Sequence, residues 1–328
     1  MTSLLEKLRA AANRGAFLET KPFTLLLERC ITVLEHEQAL VRPSDSTALS
    51  GGLIRLDKNI PTVVLPDLHG RFDFFLSVME SPLFGQESLA QAVQNRQAQI
   101  LCLGDGFHSE LRGKERWIAA LDEYINGYKN HASMDQEMTE SFVLMEMVME
   151  CKCALKEGFH FLKGNHENIL NEEGNGNHSF RKFAYEGAMV RDYVSRFCGN
   201  DFLQLYAIFE KRLPLFAIGS AFIASHAEPS RFFNQEELID GRNRNEVLLG
   251  LTWTANDEAE EDSVERMLRE YSESAETTVY ISGHRPVKGT YALRASGKLV
   301  QIHNPSLRVG AIVSPARPFN PDVDIHQW

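Results

Sequence analysis

Apolar and polar residues alternate along this chain in two rhythms. Over the first fifty residues the rhythm is helical. Leu4, Leu5, Leu8 and Ala11 recur at the spacing of one helix face, and LLLERCITVLE repeats the pattern more strongly. A Pro/Ser/Gly-rich stretch, RPSDSTALSGG, closes this segment, and from about Ile60 the apolar residues gather into short, nearly continuous runs. Such runs, separated by helical stretches, predict strands buried in an α/β sheet. Each run halts on Asp, His or Asn, often beside Gly: VVLPDLHGR, ILCLGDGFHSE, FHFLKGNHEN, FIASHAEPS and VYISGHRPV. Ligands bind at the carboxyl edge of such a sheet, so these ends are expected to converge there.

Between the second and third runs, residues 115–128 and 134–155 read as helices. The stretch 111–157 is therefore a helical insertion that either covers a sheet face, caps the site or docks a partner. Its methionines (Met134, Met138, Met145, Met147, Met149) fit packing better than recognition. After the third run come a polar loop, NEEGNGNHSF, helices over about 181–209, and a tight hairpin, PLFAIG–AFIASH, that delivers His226. The acidic stretch DEAEEDSVERMLREY reads as a solvated helix, and a second hairpin turns around Ser296 and Gly297. Lone histidines such as His178 and His303 are more often solvated or structural than ligating. The pattern divides the chain into an N-terminal helical segment (1–50), a main domain (51–315) and a C-terminal tail (316–328).

The residues at the strand ends are metal ligands in type. Asp67, His69 and Asp105 mix carboxylate with imidazole, which suits Mn, Fe or Zn. Asp105 can bridge two ions about 3.5–4 Å apart, with Asn165, His226 and His284 completing the second. Two bridged cations acidify a shared water and clamp phosphoryl oxygens. The reaction they serve best is in-line hydrolysis of a phosphoester by metal-bound hydroxide.

Composition narrows the class. A chain of 328 residues that is 43% apolar and 24% charged can bury a large core. Its net charge of −11 disfavours a nucleic-acid backbone as partner. No apolar stretch is long enough to span a membrane, and MTSLLEKLRAAANRG lacks the apolar core of a secretory signal. Five cysteines (Cys30, Cys102, Cys151, Cys153, Cys198), odd in number and without zinc-site spacing, fit free thiols in a reducing cytoplasm.

Together the motifs resemble the calcineurin-like metallophosphoesterases, in particular their phosphoprotein-phosphatase branch, which includes Ser/Thr phosphatases and diadenosine tetraphosphatases. PDLHG is similar to that branch's GDxHG, GDGFHSE stands where it has GDxVDRG, and GNHE is intact. LGLTWTANDE is similar to LLWSDPD, and ISGHRP to its last ligand motif, so the resemblance covers roughly residues 55–305. It implies an α/β fold with a central β-sandwich of two mixed sheets flanked by helices. It also implies a first metal on Asp67, His69 and Asp105, a second on Asp105, Asn165, His226 and His284, and His166 as the general acid.

The departures fall on substrate recognition. The family's second Asp and its Arg in GDxVDRG are here His108 and Ser109, followed by Glu110, and the Arg expected after LLWSDPD is replaced by the acidic NDEAEED. Arg grips phosphate bidentately, so its loss changes which substrate is held more than how the metals work. Arg71 and Arg285, adjacent to ligand motifs, are the first candidates to replace it, ahead of Arg242 and Arg244; His108 and Glu110 are further candidates for contact with substrate. The expected activity is phosphomonoester hydrolysis on a small molecule or phosphoprotein. Hydrolysis of a nucleotide pyrophosphate or phosphodiester is the alternative, and a non-catalytic metal-binding interaction module is a third.

Overall fold

The computed structural model describes residues 3–16 and 19–328. Eleven strands form among them: β1 (Leu53–Arg55), β2 (Thr62–Leu65), β3 (Gln99–Cys102), β4 (Phe159–Phe161), β5 (Phe216–Ile218), β6 (Phe222–Ser225), β7 (Val279–Ser282), β8 (Ala292–Arg294), β9 (Leu299–Gln301), β10 (Val309–Val313) and β11 (Ile325–Gln327). They build two mixed sheets, of order β1-β5-β6-β7-β9-β8 and β11-β10-β2-β3-β4. The centre of each sheet is parallel: β2, β3 and β4 in one, β6, β7 and β9 in the other. Parallel neighbours put their carboxyl ends on the same edge, so the ligand-bearing turns emerge side by side.

The sheets face each other across an apolar layer. Val64, Leu101, Leu103 and Leu162 meet Ala217, Phe222, Ala224, Ile281, Val300 and Ile302 there. Burial of each such Val, Leu or Ile contributes about 1.5–3 kcal/mol, which fixes the separation of the two ligand-bearing edges. Helices cover the outer faces. Ser3 and Glu6 cap Leu4–Asn13 reciprocally, and this helix and Thr20–Glu35 pack on Ala132–Leu155.

The helices between β3 and β4 cover a sheet face. Helix Ala132–Leu155 contacts Phe72–Glu80, Lys114–Ile125 and β4, and Met134, Met138, Met145, Met147 and Met149 are all buried in the core. Several boundaries differ from those expected. The helices after the polar loop start at Glu186, not near 181, because the Glu186 carboxylate turns back to accept from the Lys182, Phe183 and Ala184 amides. The acidic segment 257–262 is loop, and only Ser263–Tyr271, where the apolar spacing resumes, is helical. The C-terminal residues end in β11, which pairs antiparallel with β10, and Trp328 lies 6.1 Å from Phe74, ring centre to ring centre. Among the described residues, no helix is long and apolar enough to cross a membrane.

Candidate metal centre

The turns after β2, β3, β4, β6, β7 and β9 carry Asp67 and His69, Asp105, Asn165 and His166, His226, His284 and His303 to one place. Two close approaches require glycine. A Cβ on Gly283 would lie 1.9 Å from Asp67 Oδ1, and one on Gly164 2.2 Å from Asp105 Oδ1. Glycines therefore precede His284 and Asn165 because carboxylates from the facing turns occupy that space. His69, Asp105, His108, Glu110 and His284 all have φ between 44° and 77°. Left-handed backbone at non-glycine residues costs free energy and persists where surrounding structure enforces it, as at this edge. Glu167 supplies part of that enforcement. Its carboxylate accepts from the amides of Asp105 (2.9 Å), Gly106 (2.8 Å) and Gly164 (2.6 Å), tying the β3 turn to the β4 turn.

Hydrogen-bond roles define which ring nitrogens are free to ligate. His69 Nδ1 donates to the Phe107 carbonyl (2.9 Å), so the neutral ring presents its Nε2 lone pair. That lone pair faces Asp105 Oδ2 at 3.7 Å, Glu110 Oε2 at 3.7 Å and Asp67 Oδ2 at 3.8 Å. His226 Nδ1 donates to the Leu103 carbonyl (2.9 Å), and its Nε2 lone pair points at Asn165 Oδ1 (2.9 Å) and Asp105 Oδ2 (3.5 Å). His284 Nδ1 meets the same Asn165 oxygen at 3.0 Å. The Nε2 lone pairs of His69 and His226, buried and directed at oxygens with no proton between them, are repelled unless a cation lies among them. The donor set thus fits a metal.

Charge leads to the same conclusion. Asp67, Asp105, Glu110 and Glu167 are buried together, while Lys182 is the one ammonium paired with any of their side chains among the described residues. Burial, then the carboxylates of Asp67 and Glu167, push the Asp105 carboxyl well above its ordinary range. A cation removes that penalty. Burial lowers His69 to about 4 and His284 to about 3, and it lowers His226 as well, so these imidazoles are neutral, the form that ligates. Among the described residues, three groups have ligand atoms within 4.8 Å of one another: Asp67, Asp105 and His226; Asp67, His69 and His303; and His69, His108 and His166.

His166 Nε2 lies 3.8 Å from Asp105 Oδ2, and its buried Nδ1 has no hydrogen-bond partner among the described residues. Burial, then the rings of His69 and His108, hold His166 well below the ordinary histidine value. The residue in the place of the family motif's second Asp, His108, is stacked on Trp117 and accepts from the Glu110 amide (3.0 Å); its Nε2 is 3.6 Å from Glu186. Glu110 does not bond His166. Its Oε2 meets His303 Nε2 at 3.1 Å and its Oε1 meets Lys182 Nζ at 2.7 Å.

Arg71 is buried, and all three of its guanidinium nitrogens donate to backbone carbonyls, those of Asp67, Leu68, Asn304 and Leu307. It braces the first ligand turn. Arg285 is exposed beside His284 and lines a cavity of about 540 Å³ with His178, Arg231 and Trp253. Arg242 pairs with Asp45 and Arg244 with Asp240, neither of them among the ligand residues. Glu167, Lys182 and Glu186 belong to the site or its frame without having been singled out by sequence, and His303, read there as a structural histidine, joins the site. His303 did carry a signal, since LVQIH is another apolar run that ends on a histidine.

Comparison with known proteins places this geometry. A structure of a protein serine/threonine phosphatase from Saccharomyces cerevisiae, described as similar to human phosphatase PP5, superposes with a TM-score of 0.62 at 14% identity, over 98% of this chain and 95% of that one. The cold-active protein-tyrosine phosphatase of a psychrophilic Shewanella species gives 0.51 at 11% identity, over 84% and 82%. At these identities the likeness is one of fold. No curated protein matches the chain by sequence. The profile of the calcineurin-like phosphoesterases matches residues 60–311, a span that holds every ligand-bearing turn, and the chain belongs to that family of enzymes.

Proposed function

We propose that this protein is a metal-dependent phosphoester hydrolase with a dinuclear centre, acting on phosphomonoesters. The observation that carries the proposal is the convergence of His226 Nε2, Asn165 Oδ1 and Asp105 Oδ2, separated by 2.9 and 3.5 Å, beside a second group on Asp67 and His69. In this reading Asp67, His69 and Asp105 hold one ion, and Asp105, Asn165, His226 and His284 hold the other. Two ions of the Mn, Fe or Zn class, when bound, activate water and neutralise phosphoryl charge. Asp105 ties the two positions together, and the Glu167 clamp keeps its turn from relaxing. His166, at the rim of the same cluster, hands a proton to the departing oxygen. Arg285 is the cation placed to steer an anionic substrate toward His284, since Arg71 is engaged with the backbone.

One feature favours the nucleotide pyrophosphate reading in second place. Among the described residues His166 Nδ1 faces no carboxylate to stabilise the imidazolium, so less of the ring carries the proton a general acid must give, and a phosphoanhydride leaving group needs less protonation than an alkoxide.

The test is hydrolysis of para-nitrophenyl phosphate by metal-stripped protein before and after Mn²⁺ is restored, with bound metal counted in parallel. Manganese-dependent turnover with about two ions per chain is expected. Tight binding of two ions with no turnover of aryl phosphate, but turnover of a dinucleotide polyphosphate, would select the second reading. Binding of no metal would overturn both.

A further inference from the structure

His303 lies two residues past the end of β9, beside the β7 turn that carries His284, and is completely buried. Its two nitrogens have different surroundings. Nε2 lies 3.1 Å from Glu110 Oε2, a hydrogen bond in which the ring donates to the carboxylate. In the neutral ring Nδ1 is then a lone pair. Among the described residues it has no hydrogen-bond partner, and it faces Asp67 Oδ2 at 3.7 Å. A lone pair aimed at a carboxylate oxygen across that gap is unfavourable in a buried site. A cation bound by both atoms resolves it, because two ligands about 2.1 Å from one ion stand roughly 3–4 Å apart.

We infer that His303, through Nδ1, is a further protein ligand of the ion held by Asp67 and His69, with Glu110 as the carboxylate that orients the ring. The inference rests on the metal-centre reading above and adds a residue that the family motifs do not supply. A histidine that ligates through one nitrogen and gives its other N–H to a carboxylate is a recurrent arrangement, in which the carboxylate fixes the tautomer and raises ligand basicity. The chain builds it from three distant segments. Glu110 comes from the β3 turn, where φ of 52° directs it inward, and Lys182 from the loop before helix Glu186–Phe197 holds the other carboxylate oxygen at 2.7 Å. His69 lies against the same assembly, its ring centre 5.4 Å from that of His303. The rival arrangement is an imidazolium pairing with both carboxylates, but 3.7 Å exceeds hydrogen-bond length on the Asp67 side.

The experiment is manganese binding by the metal-stripped full chain, measured by calorimetry and elemental analysis for wild type, His303→Ala and Lys182→Met. Wild type should take up two ions. In His303→Ala one of the two affinities should fall by at least about tenfold while the other changes little, and Lys182→Met should keep both sites with a smaller loss. Two ions bound by His303→Ala at wild-type affinity would overturn the assignment and leave the dinuclear reading intact. Failure of wild type itself to bind metal would overturn the dinuclear reading first. Should His303→Ala not fold, a manganese-loaded crystal of the wild type decides. An anomalous peak about 2.0–2.3 Å from His303 Nδ1 supports the ligand, and a peak well beyond that distance removes it.

Discussion

The metal-facing edge and the 106–110 loop sit side by side, yet they are specified in different ways. At the edge, each proposed ligand follows its own strand by one to four residues, and parallel pairing within each sheet brings the ends together. A local pattern, an apolar run halted by Asp, His or Asn, is sufficient to find them. In the loop, the working contacts of Glu110 run to Lys182 and His303, 72 and 193 residues away in sequence. His108 likewise finds its environment in Trp117 and Glu186. Chemistry encoded in strand ends survives in the sequence as a motif. Chemistry encoded in tertiary contacts does not.

The strongest test of this contrast is Asp105→Asn. Asp105 is the carboxylate that lies within 3.7 Å of the ligand nitrogens of both His69 and His226, so losing its charge should weaken both ions together. Turnover should fall by at least about 10³. Elemental analysis alongside kinetics checks it. If only one ion is lost, Asp105 does not bridge, and the edge is two separate sites.

His166→Ala comes next in size. The edge should keep its metals while kcat falls by roughly 10²–10⁴, the range for a removed general acid. Running the pair on aryl and alkyl phosphates sharpens the comparison with the loop. Because no carboxylate among the described residues supports His166 Nδ1, the wild type should already discriminate against poor leaving groups. Equal wild-type rates on both would show that some other group protonates the alkoxide.

Much of this was legible in the sequence, and the reasons are physical. The sandwich follows from apolar runs whose turns carry the family's motifs, and the Met-rich helix is core, as packing chemistry suggests for flexible thioether side chains. Sequence adjacency was a weaker guide to orientation. Arg71 directly follows the first ligand motif, but the chain turns so that its guanidinium meets backbone carbonyls instead of solvent. Glu110 was readable as a candidate contact for substrate; its side chain instead goes to His303, because β9 runs beside β7 and brings that ring into the site. No periodicity reports such a pairing.

Glu167→Gln should have an intermediate effect. The substitution keeps the shape but removes the charge that three amides of the two ligand turns share, and one amide group of glutamine cannot accept at both positions. Metal affinity should drop by about 10–100-fold, with the fold retained by circular dichroism. An unchanged affinity would mean that the strained turns hold themselves, without the clamp.

The smallest effect separates the site from the frame that holds it. His160, on β4 but facing the helical layer, donates from Nε2 to the Glu157 carbonyl (3.0 Å), while its Nδ1 lies 3.4 Å from Lys152 Nζ. Burial, then the Lys152 ammonium, lowers it to about 3, against about 6.5 in an unfolded chain. Between those values the unfolded state binds a proton that the folded state refuses, so stability falls as pH drops from about 6.5 towards 3. The slope is about 1.4 kcal/mol per pH unit for one such group. Glu37, lowered to about 2 against burial by Lys152 and Arg42, adds a loss of the same sign below about pH 4.5. Urea unfolding of metal-free His160→Gln should therefore show a shallower decline than wild type between pH 6.5 and 4.5, with bound metal in the loaded protein unchanged. An equal slope in the two proteins would place the acid sensitivity in the histidines of the metal edge instead.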